Sequence, residues 1–172
     1  AALADGMGGH AGGDVAARLA VDAWVGRIRK CPVEPVGERD LRVAVADANR
    51  VVFAAGCADP ALRRMGTTLV AACFRSDDTL LTCNVGDSRL YRLRGDVLSC
   101  LTRDHSVLRA QCDAGMIESE SNGPLALRGL LTRAVGVAAC VVADVTISSL
   151  QPGDVYLLCS DGLTEMLPDA DI

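Results

Sequence analysis

Three aspartates share one local setting: Asp5 in LADGMGG, Asp87 in CNVGDSRLY and Asp161 in LLCSDGL. Each follows an apolar, strand-like run and sits beside a glycine, so each carboxylate is expected to project from a strand end into a crevice. Hard divalent cations such as Mg²⁺ and Mn²⁺ take oxygen ligands in octahedral geometry, and carboxylates on strand ends are rigid donors of that kind. Two ions that share one carboxylate can hold a water between them, lower its pKa and aim it at phosphorus. Gly6, directly after Asp5, offers its carbonyl as a further oxygen ligand without side-chain obstruction. Taken singly, an Asp-Gly pair is far more often a turn than a metal site, and each of the three alone reads that way.

Other residues near these positions have plainer readings. Five glycines (Gly6, Gly8, Gly9, Gly12, Gly13) stand between Asp5 and a helical pattern, and so many imply positive φ, close backbone approach, or both. The stretch is not a P-loop, because the Lys-Ser/Thr pair is missing, nor a dinucleotide fingerprint, because no βαβ unit precedes it. His10 reads as a solvated or capping side chain, with a catalytic role the minority alternative. Thr67 and Thr68 read as β-formers, and Asp104 and His105 as caps of the helix that follows them. His105 does not suit an all-oxygen metal site, and Trp24 reads as packing surface. Arg89 and Arg133 have the charge to meet a phosphate, yet a salt bridge is the simpler role for both.

The elements that must position the carboxylates are legible in the periodicity. Residues from about 13 to 30 put Val15, Ala16, Leu19, Ala20 and Ala23 on one helical face, and ERDLRVAVADANRVVFAAG repeats the pattern with Leu41, Ala44, Val45, Ala48, Val52 and Ala55. CPVEPVG between them is a loop. The runs TTLVAACF, TLLTCNV, SRLYRLR and VLSCL read as an antiparallel meander, and VVADVTIS and DVYLLCS as two further strands. The segment from about 104 to 136 is irregular, a short helix followed by an excursion. Helices first and strands in a run point to an α+β fold with helices packed on antiparallel sheet.

Composition limits the function classes. A chain of 172 residues, half of them apolar, reads as one domain with a substantial core. The formal net charge of -5 and 3% aromatic content exclude a basic, base-stacking nucleic-acid surface. The eight cysteines never come closer than ten residues, so no Cys-x-x-Cys motif exists and a reducing cytoplasm fits best. No apolar run approaches a membrane span, so no membrane partner is expected.

In order along the chain, LADGMGGHAGGDVAA, RMGTTLVAACF, NVGDSRLYRLRGD, LTRDHS, LTRAVG and GDVYLLCSDGL resemble the blocks of the metal-dependent PPM, or type 2C, serine/threonine protein phosphatases of bacteria. Six blocks in order and correctly spaced are specific. The resemblance implies a β-sandwich of two antiparallel sheets flanked by helices, in four layers α-β-β-α, with a binuclear Mn²⁺ or Mg²⁺ centre at one end. It implies that Asp5 bridges the two ions, that the Gly6 carbonyl ligates one, that Asp161 serves the other, and that Asp87 with Asp161 holds a third, weaker ion. Asp5 and Asp161 are thus the catalytic pair, and the segment from about 104 to 131 matches the family's flap beside the substrate. The implied activity is hydrolysis of phosphomonoesters on phosphoserine and phosphothreonine proteins by direct attack of a metal-activated water. The implied context is signalling, as a monomer, opposite a cognate serine/threonine kinase.

Departures from the family pattern lie at the ends. The phosphate-holding Arg and the Asn-x-Asp motif upstream, and the Asp-Asn pair downstream, have no match here, so residues 1–172 are expected to be one catalytic domain lacking segments on both sides. Met7 stands where eukaryotic members carry a general-acid His, which leaves a metal-bound water as the proton source. The alternative reading is a catalytically silent phosphatase-fold module that binds or senses a partner. A closer alternative is a regulatory phosphatase acting on one phosphoserine of an anti-sigma-factor antagonist.

Overall fold

The computed structural model describes residues 1–8, 10–31 and 35–172, and for His10 and Ala11 the helical backbone alone. The reading of the His10 side chain and the middle of the CPVEPVG loop therefore lie outside the described residues. Two long helices come first, α1 (His10–Arg29) and α2 (Glu38–Ala58). Before them lie the short strands β1 (Ala2–Leu3) and β2 (Gly6–Met7). After them come β3 (Gly66–Thr67), β4 (Leu69–Phe74), β5 (Thr79–Val85), β6 (Arg89–Arg94) and β7 (Val97–Cys100). The helix α3 (Val107–Asp113) and two 3-10 turns precede β8 (Asp144–Ser149), β9 (Val155–Cys159) and α4 (Asp161–Thr164).

The strands form a four-stranded sheet in the order β1-β4-β5-β8, a three-stranded sheet β7-β6-β9, and the small pair β2-β3, all antiparallel. The expected meander is thereby divided. β4-β5 and β6-β7 are each hairpins, but β5 and β6 belong to different sheets, and the chain crosses from one to the other at Gly86-Asp87-Ser88. The crossover places Asp87 at the end of the sandwich.

Alternation along β4 and β5 explains their nearly continuous apolar sequences. Leu69, Ala71, Leu81, Cys83 and Val85 face the helices and pack with Ala16, Ala20, Trp24, Leu41, Val45 and Val52. Val70, Ala72 and Leu80 face the other way, onto Leu90 with Tyr156 and Leu158 of the second sheet. A strand buried on both faces has no polar side to show. Full burial of a side chain such as Leu41 or Leu81 contributes about 1.5–3 kcal/mol. The order is helices, first sheet, second sheet, so the described residues build three of the four expected layers. The outer face of the second sheet leaves Leu93, Val155 and Leu157 exposed.

Helix α1 begins three residues earlier than its apolar periodicity predicts, and glycine is the reason. Gly13 lies against β2 so closely that a Cβ on it would stand 2.7 Å from the Gly6 carbonyl oxygen, and a Cβ on Gly6 would stand 2.0 Å from the Gly13 oxygen. Each glycine in a helix costs about 1 kcal/mol relative to alanine, which this contact between loop and helix offsets. Among the described residues no helix is long and apolar enough to cross a membrane, and no disulfide joins the cysteines.

Candidate metal centre

Asp5 lies between β1 and β2, and its main chain is held at both polar groups. Its N–H donates to Thr68 Oγ1 (2.9 Å), while its carbonyl accepts from Thr68 N–H (2.9 Å) and Thr67 Oγ1 (2.8 Å). The Thr68 hydroxyl also meets Ser88 Oγ at 2.7 Å, and both residues are buried. One hydroxyl thus ties the backbone of Asp5 to the residue after Asp87. The sequence reading of Thr67 and Thr68 as β-formers missed this. Their signal was position, two hydroxyls in a row between a glycine and an apolar strand.

The third aspartate arrives from β9. Asp161 opens α4 directly after that strand, with Ser160 at the N-cap. The Asp161 carboxyl meets that of Asp5 across a side-chain hydrogen bond. Burial, then the hydrogen bond and the charge of Asp161, raise the Asp5 carboxyl above its ordinary range against hydrogen bonds from Ser160 and Gly6. Asp87 is pushed up to about 6 by burial first and then by the charges of Asp161, Asp104 and Asp5. The fold therefore brings the three aspartates into one field of uncompensated negative charge.

That donor set fits a hard divalent cation. Among the described residues no three His, Cys, Asp or Glu side chains cluster tightly enough to chelate one ion. Instead Asp5 and Asp161 form a pair, Asp87 is set apart, and Gly6 is exposed beside Asp5. Such spacing suits ions that take one or two carboxylates each and complete their shells with carbonyl oxygen and water, as Mg²⁺ does.

A cavity of about 260 Å³ opens at this end, lined by Asp87, Asp161, Arg89, Asp104, Glu120 and Arg128 among others. A larger one, about 910 Å³, shares Arg89, Asp104, Glu120 and Ser121 with it and extends along the irregular segment. The flap position expected for residues 104–131 is thus beside the carboxylates. Arg89 and Arg133 are in the salt bridges expected of them. Arg89 forks onto Asp104 through Nε (3.0 Å) and Nη2 (2.6 Å) and reaches Tyr91 Oη (3.0 Å), while Arg133 Nη1 lies 2.6 Å from Asp144 Oδ1.

The capping expectation for Asp104 and His105 is corrected. Ser106 caps α3, its Oγ accepting from Arg109 N–H at 3.1 Å. Asp104 is taken by Arg89, and His105 is turned inward to the β5–β6 crossover, because a hydroxyl one residue later satisfies the helix end.

A two-sheet sandwich with an aspartate pair and a third aspartate at one end fits a metal-dependent phosphatase domain, and the comparisons with known proteins agree. Residues 1–171 match the family model described as protein phosphatase 2C, and the chain belongs to that family. It is 38% identical to the serine/threonine phosphatase stp of Listeria innocua, over 99% of this chain and 68% of that protein. The crystal structure of the Mycobacterium tuberculosis serine/threonine phosphatase PstP/Ppp superposes with a TM-score of 0.87 at 37% identity, covering 99% of this chain and 71% of the other. The PstP catalytic domain in complex with two manganese ions superposes with a TM-score of 0.84 at 36% identity, covering 98% and 70%.

Proposed function

We propose that this chain is the catalytic domain of a metal-dependent serine/threonine phosphoprotein phosphatase that hydrolyses phosphomonoesters by direct attack of water. The observation that carries the reading is the pairing of Asp5 with Asp161 beside a cavity that Asp161 and Asp87 line, with the Asp5 carboxyl raised by burial and by its partner Asp161. Family membership and the two manganese ions of the similar PstP domain support it.

Asp5 would be the shared ligand of two Mn²⁺ or Mg²⁺ ions, with Gly6 lending its carbonyl to one, Asp161 serving the other, and Asp87 with Asp161 holding a third. When bound, the ions would supply a nucleophilic water of lowered pKa and neutralise charge on the phosphoryl group. The protein's own part is to hold the ligands still. Thr67 and Thr68 fix the Asp5 backbone, and the crossover fixes Asp87. Arg89 stays bound to Asp104, which leaves Arg128, exposed on the flap side of the cavity, as the cation facing an incoming phosphate.

The substrates under this reading are phosphoserine and phosphothreonine in proteins, in the cytoplasm, opposite a serine/threonine kinase and acting as a monomer. The test is hydrolysis of p-nitrophenyl phosphate with and without Mn²⁺, beside calorimetric titration with MnCl₂. Turnover that requires the metal is the expected result. Metal binding with no turnover, also in a chain extended to the full length of its relatives, would instead favour a binding module.

A further inference from the structure

Asp87 stands on a turn that one imidazole grips by its backbone. Gly86, at φ 105°, donates its N–H to His105 Nδ1 (3.1 Å), and its carbonyl accepts from the His105 N–H (2.9 Å) and from Asn84 Nδ2 (3.3 Å). A backbone N–H can only donate, so Nδ1 turns its lone pair to Gly86 and the ring proton sits on Nε2. Nε2 lies 3.1 Å from both Asp144 Oδ2 and Arg133 Nη1, and with Nη1 donating to the other oxygen of that carboxylate at 2.6 Å the ring proton goes to Oδ2. The ring is 5% exposed. On the far side of Asp87, Ser88 is held by Thr68, and Arg89 by Asp104, the residue before His105. The Gly86–Asp87 peptide cannot rotate without breaking the bond from the His105 N–H, nor the Val85–Gly86 peptide without breaking the one to the His105 ring.

We propose that His105 is a positioning residue for Asp87: through Nδ1 it fixes the Val85–Gly86 peptide, the one before Asp87's own, so that the Asp87 carboxylate is aimed at Asp161 and at the cation the two would share. The inference rests on the metal-dependent reading above and extends it to a residue outside the carboxylates. A histidine that merely fills the interior would matter through its bulk. The proposed role depends on one atom, and two amide side chains separate the alternatives. Asparagine places an oxygen at the same bond distance from Cα as Nδ1, whereas glutamine places its polar atoms where Nε2 lies.

The experiment compares His105→Asn and His105→Gln with the unaltered chain, using amide hydrogen exchange at Gly86 without metal and calorimetric titration with MnCl₂. His105→Asn is expected to keep Gly86 protected and Mn²⁺ affinity within about 3-fold. His105→Gln is expected to expose the Gly86 amide and weaken the Mn²⁺ site that Asp87 shares with Asp161 by about 10–100-fold, the usual cost of losing a group that orients a ligand, while the two tighter ions stay bound. Equal losses in both variants, or an unweakened third Mn²⁺ site in His105→Gln with Gly86 exposed, would overturn the proposal while leaving the phosphatase reading intact. An unaltered chain that binds no Mn²⁺ would overturn the reading and the proposal together. If neither variant folds, the ring nitrogen shifts of the unaltered protein decide. A lone pair on Nδ1 is expected, and a proton there overturns the proposal.

Discussion

The two sides of the candidate metal centre are built in opposite ways. On one side, Thr67, Thr68, Gly86, Ser88 and His105 are all buried, and hydrogen bonds among them reach the backbone on either side of both Asp5 and Asp87. On the other, no residue between Leu108 and Val135 is buried, and the backbone runs through two 3-10 turns, Glu120–Asn122 and Leu125–Leu127. Groups that must meet an ion within tenths of an ångström are fixed by the interior. Groups that would meet a protein surface stand on backbone with little buried apolar area, which opens at low local cost. The contrast separates chemistry from recognition, and substitutions on each wall should fail differently.

The largest effect is expected at Asp5, the proposed shared ligand. Asp5→Ala should abolish Mn²⁺ binding and turnover, a loss beyond the roughly 10–100-fold that follows removal of a supporting partner. Because it removes a carboxyl held against its neighbour, the metal-free protein should not lose stability. Calorimetry with MnCl₂ and a thermal melt test both halves, and retained metal-dependent turnover would remove Asp5 from the centre. Thr68→Val comes next. It leaves the Asp5 N–H and Ser88 Oγ without their partner, at a cost of about 1–3 kcal/mol in stability and about 10–100-fold in metal affinity, whereas Thr68→Ser should retain most of both.

How much of this was legible beforehand follows the same division. Asp5, Asp87 and Asp161 could be read because each ends an apolar run beside a glycine, a local signal, and the alternation of Leu69 to Cys73 and Leu80 to Val85 located the first sheet. The supporting atoms could not be read locally. Thr68 acts on residues 63 and 20 positions away, and His105 on one 19 positions away. Only the crossover between the sheets brings those pairs together, and the sequence around Gly86 resembles an ordinary hairpin turn. His105 next to Ser106 resembled a helix cap for the same reason, since nothing in its neighbours records which way the ring turns.

A smaller and pH-dependent effect is expected at Asp87. Its carboxyl is raised from 3.8 to about 6 in the metal-free fold, so the fold favours the protonated form. That contribution to stability is complete below about pH 4 and is lost as pH rises through about 6. Asp87→Asn should therefore stabilise the metal-free protein by about 1–3 kcal/mol near neutral pH and hardly at all near pH 4. With limiting Mn²⁺ the same variant should keep two tightly bound ions and lose turnover. Denaturant titrations at the two pH values check the first claim, and a stability gain that does not change with pH would show that Asp87 is not held protonated.

The smallest effect on the fold is expected on the open wall, where the contrast between the two sides becomes sharpest. Leu125 is 76% exposed, so Leu125→Ser should change stability by no more than about 0.5 kcal/mol and leave Mn²⁺ affinity and p-nitrophenyl phosphate turnover as they were. A phosphopeptide has side chains to lay along the segment that carries Leu125, where the small ester has none, so the KM for the peptide should rise while kcat holds. Equal loss on both substrates would mean that residues 114–130 support the carboxylates, and the two walls would then be one structure rather than a rigid frame facing an adaptable one.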